Sequence, residues 1–538
     1  MATDTGTTTV EEFGQINRVK GTLFEYATLT ASVLGIAALG VLLAYVLWDA
    51  FGLATAGPAW YGAFAALVVA PAVWFVRYAR RNAVVGEVAL ELVSTATGGL
   101  LAGFGAVAVL EVIAGDPVWF TYFSTVVGPM LALYWYDSRN TAVNWVGFGY
   151  LGALVLGPVV GTALLPVLTT VAELMGAPLV YYLTLVVPAA AVTRTVVGER
   201  LELGNGTYAA GLVLVGAVAA VPLVDAVPAL SRSVWLVFLT TMVVPTAVVV
   251  AKNAAVPERR PGFAGPVAFV AGVAALVAVS EAFALRGPDT WFDWQFVTAA
   301  PSQTASDAGL YPAVIGSVFI IVLVAVITLL LAVGAAVYLE EYAPSSGPGG
   351  TVARLIRINV SNLAGVPSVV YGLLGLAVFA NTLQFGVGTV LSAAFTLSLL
   401  ILPIVIISAR EAINAVPDSL RQAAYGMGAT RWQVVRTVVI PRALPGTLTG
   451  TILALGRAIG ETAPLIMIGV ATTSFSPPSG LFSRTSAMPM QVYVWAGFPS
   501  QAFQHGVVAA GVVTLLVVLL TMNSVAILLR NEFEEESF

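Results

Sequence analysis

From Tyr26 to Leu529 the chain is a succession of apolar runs of about 20 residues, the length an α-helix needs to cross a hydrocarbon core of roughly 30 Å at 1.5 Å per residue. Inside lipid every backbone N–H and C=O must find its partner within the protein, so only helices and closed barrels can span. The period-2 alternation of a barrel strand is absent. Only 9% of the residues are charged, against about 25% in soluble domains. These features predict an all-α, polytopic helical membrane protein.

Fourteen spans are expected: nine near 26–48, 59–76, 96–114, 117–136, 143–168, 178–197, 208–224, 234–251 and 265–285, then five near 311–338, 358–380, 388–408, 444–470 and 506–529. The positive-inside rule tests this count. With a cytoplasmic N-terminus, 19 of the 23 lysines and arginines fall in inside segments and 3 (Arg232, Arg286 and Arg484) outside, with Arg457 in the membrane. One missed or added span would reverse the sign of everything after it. Both termini are therefore expected in the cytoplasm. Trp60, Trp119, Trp145, Trp235 and Trp291 stand near span ends, as interfacial anchors do.

The absence of cysteine excludes a disulfide framework and thiolate chemistry. His505 is the only histidine and cannot build a metal site alone, so no metal site is expected. The net charge of −5 is spread over loops and gives no basic surface for nucleic acid. Residues 1–25 are polar without an apolar core, so they read as a cytoplasmic tail rather than a cleavable signal peptide. Two lysines against 21 arginines, with the acidic cluster Glu532 to Glu536, point on composition alone to a GC-rich, salt-loving prokaryote.

The chain divides near residue 290. Residues 26–290 are Ala/Val/Leu/Gly spans with short loops, whereas 291–530 are denser in Gly, Pro, Asn and Glu within or beside spans, with a loop at 410–442 and an acidic tail at 531–538. Chemistry is expected in the second region. There, Arg457 and Glu461 stand four residues apart inside the apolar stretch from Thr447 to Val470. An ionisable group at bilayer depth costs roughly 2.5–3.5 kcal/mol on insertion scales, and a spacing of four places the two on one helical face. A transport pathway is one reading; the other is an ion pair that only fixes helix packing.

In the loop, Asp418 or Ser419 can cap a short helix after Pro417, which Gly426 and Gly428 would end. Thr430 can cap the next, with Trp432, Val435, Val438 and Val439 on one face. Spacing alone allows either a solvated amphipathic loop or a compact knob below the membrane. Glu340 and Glu341, at a span end facing the cytoplasm, read as a solvated face. Gly347-Pro348-Gly349-Gly350 lacks the lysine of a phosphate cradle.

The segment Gln422-Ala423-Ala424-x-x-x-Gly428-Ala429, followed by Ile440-Pro441, resembles the EAA loop of ABC-importer permeases, with Gln422 where the name-giving glutamate stands. Together with Gly309 to Ser317, Ala336 to Ala343, Asn362 to Gly372 and Arg457 to Leu465, it resembles the phosphate ABC-transporter permeases of the PstA type over residues 291–538. The resemblance implies a type I importer core in the C-terminal half and a coupling element at Gln422, Ala423, Ala424, Gly428 and Ala429. It implies a translocation path at Arg457, Glu461, Thr462, Pro367 and Ser368. A guanidinium offers planar, bidentate donors that suit phosphate. Pro367 and Pro464 would break backbone bonds within spans, which is tolerated where helices line a cavity.

The implied partners are ATPase subunits, a second permease subunit of the PstC type, an extracellular phosphate-binding protein, phosphate and the lipid bilayer. ATP and magnesium are expected on the partner ATPase, with no cofactor on this chain. A family member has about six spans, so eight are additional here; the first family span is either 26–48 or 265–285. Glu111 and Asp116 read as interfacial, and the extra spans as a packing collar or a regulatory or lipid-facing module. Rival readings are an importer permease for another oxyanion or small solute, and a stand-alone secondary transporter with the charged pair as a proton relay.

Overall fold

A computed structural model describes residues 18–535 apart from 108–109, 111–114, 138–145, 202–203, 226–230 and 345. Glu111, Arg139, Trp145, the tail before Arg18 and the side chains of the acidic cluster from Glu532 lie outside the described residues. The first part holds α1 (Thr22–Ala50), α2 (Pro58–Arg81), α3 (Ala83–Val107), α4 (115–137), α5 (Leu156–Met175), α6 (Ala177–Gly198), α7 (Gly206–Asp225), α8 (Arg232–Ala254) and α9 (Pro257–Ala282). The second holds α10 (Tyr311–Tyr342), α11 (Gly347–Leu363), α12 (Ser368–Thr382), α13 (Val390–Asn414) and α14 (Asp418–Gly426). It continues with α15 (Arg431–Ile459), α16 (Ala463–Met467), α17 (Met488–Ala496) and α18 (Ala502–Ser524).

Twelve of these helices are long and apolar enough to cross a membrane, and α11 with α12 makes a thirteenth if the bent pair is one span. Among the described residues the expected count of fourteen is therefore not reached. The 117–136 run is helical, but Asp116, Thr121, Ser124, Thr125 and Asp137 dilute its apolar character and it is not among the twelve. The 358–380 run is not one straight span: α11 and α12 meet at 110°. Pro367 has no N–H to continue the helix, and it biases Val366 away from helical dihedrals. Turn bonds from Gly365 N to Asn362 O and Val366 N to Leu363 O close α11 instead. The expected 444–470 span begins earlier, at Arg431, and stops at Ile459, where Gly460 and Glu461 bond back three residues to Arg457 O and Ala458 O (3.2 Å each).

The C-terminal half is built around α13, 67% of whose most apolar window is buried. Leu397, Ile401 and Val405 face α10, α12 and α15 from it with no more than 1% exposure. α13 and α15 cross closely because Gly450 has no side chain; a Cβ there would lie 1.8 Å from Ser408 Oγ. Helices α2–α9 form a separate bundle with its own core, in which Val180, Tyr181, Val186 and Val237 are fully enclosed.

The two bundles are hydrogen-bonded to each other at one place, and α3 also packs on α18. α1 lies along α18, and Ala50 O accepts from Trp291 N (2.9 Å) and Phe292 N (3.2 Å). A few residues on, Gly57 N donates to Arg286 O (2.8 Å) and Asp289 N to Thr55 Oγ1 (2.8 Å). Gly52, at φ +58°, leaves room for Asp289 O, which a Cβ would approach to 2.0 Å. The chain leaves the C-terminal bundle after α1 and returns to it at the same point, having made α2–α9 in between.

Candidate functional site: a glycine-split knob and a charged helix break

The loop at 410–442 folds as two short helical segments against the ends of α10 and α13. Pro417, not Asp418 or Ser419, occupies the N-cap of α14, and no side chain caps it; Asp418 is in the first turn and pairs with Arg421 at 2.9 Å. The helix ends in a Schellman motif: Ala429 N bonds Ala424 O (3.1 Å), Gly428 N bonds Tyr425 O (2.9 Å), and Gly428 takes φ +85°. Thr430 then caps α15 through a capping box with Gln433, whose side chain returns to Thr430 N at 2.8 Å.

Val434, Val435 and Val439 are fully buried against Ala336, Ile413 and Ala424, and Val438 lies beside them. Trp432 departs from the expected face: it is 57% exposed. It stands with Met427 (84% exposed) and Tyr425 on the outside of the knob, beside exposed Gln422, Ala423 and Gly428. A buried Ala424 and a half-buried Ala429 fasten this surface from within. Three large apolar groups exposed on one small knob form a surface suited to contact with another protein or with the membrane.

The charged pair lies at the break between α15 and α16. Arg457 Nε donates to Glu461 Oε1 at 3.2 Å, from the last turn of α15 to a residue beyond its end. The two are therefore not on one helical face, and they are not buried inside this chain: their side chains are 49% and 17% exposed. Thr462 precedes α16, which Pro464 opens. Ala458 and Ile459 share a small cavity lining with Ile320 and Leu397. These lie nine and seven residues into α10 and α13, roughly 10–14 Å from the helix ends opposite the knob.

Tyr371 and Gly372 of α12 come to the same place, beyond the α11–α12 bend at Pro367 and Ser368. Gly372 permits the approach; its Cβ would lie 2.7 Å from Met467 Cβ and 2.8 Å from Pro464 Cα. Tyr371, 4% exposed, donates its hydroxyl to Leu363 O (2.7 Å) and so ties the bend shut. α12 thus packs on α16 next to the charged break, and the guanidinium is left half-exposed. Broken backbone at membrane depth is tolerated where protein or a water-filled cavity covers it.

Glu340 and Glu341 do not form the solvated face that their position predicts. They sit on a π-helical turn, Tyr338–Tyr342, closed by Ala343 N to Tyr338 O (2.7 Å). Their side chains are only 12% and 9% exposed. Glu340 accepts from Arg410 Nε at 2.5 Å and has Arg357 Nε at 3.7 Å; Glu341 accepts from Arg421 Nη2 at 3.2 Å. Arg421 also bonds Ile413 O (2.8 Å) and Val416 O (2.5 Å), at the carbonyl end of α13. The knob is thereby pinned to α10 and α13 by one guanidinium.

Comparison with known proteins agrees with this geometry. Residues 332–532 match the family described as binding-protein-dependent transport system inner membrane component. A probable ABC transporter permease protein, YqgI, of Bacillus subtilis is 34% identical over 38% of this chain and 70% of its own length. The phosphate transport system permease protein PstA 1 of Mycobacterium tuberculosis is 33% identical over 45% of this chain and 76% of its own. The phosphate transport system permease protein PstC of Mesorhizobium japonicum is 32% identical over 36% and 67%. The matched half is the one that carries the knob and the charged break, and the chain belongs to the inner-membrane permeases of binding-protein-dependent ABC transporters, in their PstA-type branch.

Proposed function

We infer that the chain is a permease subunit of an ATP-driven importer of inorganic phosphate, and not itself a catalyst. The observation that carries this reading is the half-exposed guanidinium of Arg457, held by Glu461 at a helix break and turned toward the flank of the permease core. A donor fork of this kind suits an oxyanion bidentately. Its exposure in a single chain fits a pathway completed by a second permease subunit, of the PstC type. Glu461 holds Arg457 between transport events and keeps the anion from binding too tightly. Pro367, Ser368 and Thr462 line the same path.

The knob is the coupling element. Tyr425, Met427 and Trp432, around Gln422, Ala423, Ala424, Gly428 and Ala429, dock in a groove of an ATPase subunit that binds and hydrolyses ATP with magnesium. A phosphate-binding protein delivers the anion at the opposite face. The knob and both termini lie in the cytoplasm, and α1 serves as the first span of the permease. Arg457→Ala should leave the complex assembled and lower phosphate uptake on the order of 100-fold, the equivalent of about 2.7 kcal/mol of charge-assisted binding. Undiminished uptake by that variant refutes the role. A second oxyanion as cargo is separated by competition: arsenate or sulfate displacing phosphate at equal concentration would move the assignment to a broader class.

A further inference from the structure

We propose that Glu340 and Glu341 form the joint through which movement of the coupling knob reaches the rest of the permease, with Glu340 passing between Arg410 and Arg357. The inference rests on the reading of the knob as the ATPase-docking element.

Three helices meet at these two carboxylates. Glu341 binds Arg421, and through it the start of α14 and the last carbonyls of α13. Glu340 binds Arg410 on α13 at 2.5 Å, while Arg357 on α11 waits 3.7 Å away. Arg357 Nε is buried and has no hydrogen-bond partner, although the same guanidinium donates through Nη2 to Leu339 O. A donor left unmade beside an acceptor it could reach marks a second arrangement of the same groups. Separating a buried carboxylate from every cation is costly, but exchanging one arginine for another keeps it paired throughout. The cluster therefore has two discrete states and resists anything between them, which is what transmission through a close-packed protein requires.

The route beyond Arg357 is continuous. α11 turns into α12 through a bend tied by Tyr371 and Leu363, and α12 rests on Pro464 and Met467 beside the charged break. Glu340 and Glu341 are positioning residues: both are held by arginines of this chain, and they act through the helices they hold.

The test uses the chain assembled with its ATPase and second permease subunit in lipid. The chain has no cysteine, so L355C and A415C place its only two thiols on exposed positions of α11 and at the end of α13. Spin labels there report the separation of the two helices, without nucleotide and after trapping with ATP and vanadate. Trapping should change the separation in the native background and in Arg410→Lys, which keeps a cation opposite Glu340. The change should vanish in Glu340→Gln and in Arg357→Gln; the latter leaves the Glu340–Arg410 bond intact and guards against a folding defect. In the same vesicles, ATP hydrolysed per phosphate moved should rise about tenfold or more in Glu340→Gln, equivalent to about 1.4 kcal/mol. A separation that changes in Glu340→Gln and Arg357→Gln as it does in the native chain overturns the joint. So does a native separation that trapping leaves unchanged. If the native complex moves no phosphate, the phosphate assignment fails by itself, and the label separations still decide the joint.

Discussion

The two bundles of helices solve the same solvent problem in opposite ways. In α2–α9 hydroxyls within the spans bond back to their own helix, as Thr95, Thr125, Thr184 and Thr241 do, and close approach is made by small residues. Gly103 lies on the ring of Phe238, Gly265 on Phe75, and Gly272 on the carbonyl of Leu67. Its ion pairs, Arg232 with Asp225 at 2.7 Å and Lys252 with Glu91 at 2.6 Å, are partly exposed. The permease half instead breaks its helices at Pro367 and Gly460, sets a guanidinium at one break, and buries two carboxylates under the knob. The spans of the inserted bundle carry π-helical turns, such as Ala65–Val69 and Leu239–Val243, and internal Pro158 and Pro166, yet each stays continuous. Helices that must bind a solute and move against a motor carry breaks and charges, each of which needs a neighbour to satisfy it. The inserted bundle reads as scaffold, and the permease half as machinery.

Substitutions at the breaks should have the largest consequences. Gly372→Val places carbon within 3 Å of Met467 and Pro464, and overpacking of this kind costs about 1–3 kcal/mol. Because it wedges α12 away from α16 without touching the knob, phosphate uptake should fall at least about tenfold, while the ATPase still co-purifies. Normal uptake would mean that the contact of α12 with α16 is packing and nothing more. Gly428→Asp comes next. It forces a side chain onto φ +85°, costing about 1–2 kcal/mol. Recovery of the ATPase with the permease should drop roughly 5–30-fold, measured by pull-down from detergent. Undisturbed recovery together with normal transport would remove the coupling role from the knob.

How much of this is legible in the sequence depends on how far apart the interacting residues stand. Apolar length places most of the spans because helix pitch and bilayer thickness are local quantities. The cap at Thr430 and the turn at Gly428 are legible for the same reason. The bend at Pro367 can be foreseen as a kink, but its 110° cannot, since the angle is set by what α12 rests on. Trp432 shares a helical face with Val435 and Val439 on paper. A wheel gives direction and says nothing of what stands opposite, and Trp432 stays 57% exposed. Glu340 and Glu341 are the most misleading of all. Two acids at a span end look solvated until arginines 70 and 80 residues away fold over them. Likewise, Arg457 and Glu461 look like a helical pair because the sequence does not say that Gly460 ends the helix between them.

Removing the inserted bundle tests the contrast from the other side. Its two ends meet at hydrogen-bond distance between Gly57 and Arg286, so a short linker can replace residues 57–286 without stretching the join. The cost is the contact of α3 with α18, and that of Phe104 on α3 with Trp294 in the segment before α10, 6.2 Å apart. Uptake per assembled complex should stay within about threefold of the native value, less than the 1.4 kcal/mol of a tenfold change. A complete loss, with the complex still assembled, would make α2–α9 part of the machinery and end the distinction drawn above.

The smallest effect is expected where the inserted bundle most resembles a functional site. Glu91 accepts from Lys252 at 2.6 Å and from Asn253 Nδ2 at 3.1 Å, and Arg259 donates to Asn253 Oδ1 at 3.2 Å. Asn253 is fully buried, yet it also donates to Val249 O at 2.9 Å. Glu91→Gln removes the charge but leaves a carbonyl that can accept from either neighbour. With side-chain exposures of 30% and 40%, the Glu91–Lys252 pair contributes about 1 kcal/mol or less. A loss of that size lowers a thermal midpoint by about 2–4 °C in a unit of 150–250 residues, and uptake should not change beyond error. If instead uptake falls while the midpoint holds, Glu91 is carrying something other than a helix contact, and the ionic cluster of the inserted bundle belongs with the charged break and the buried joint.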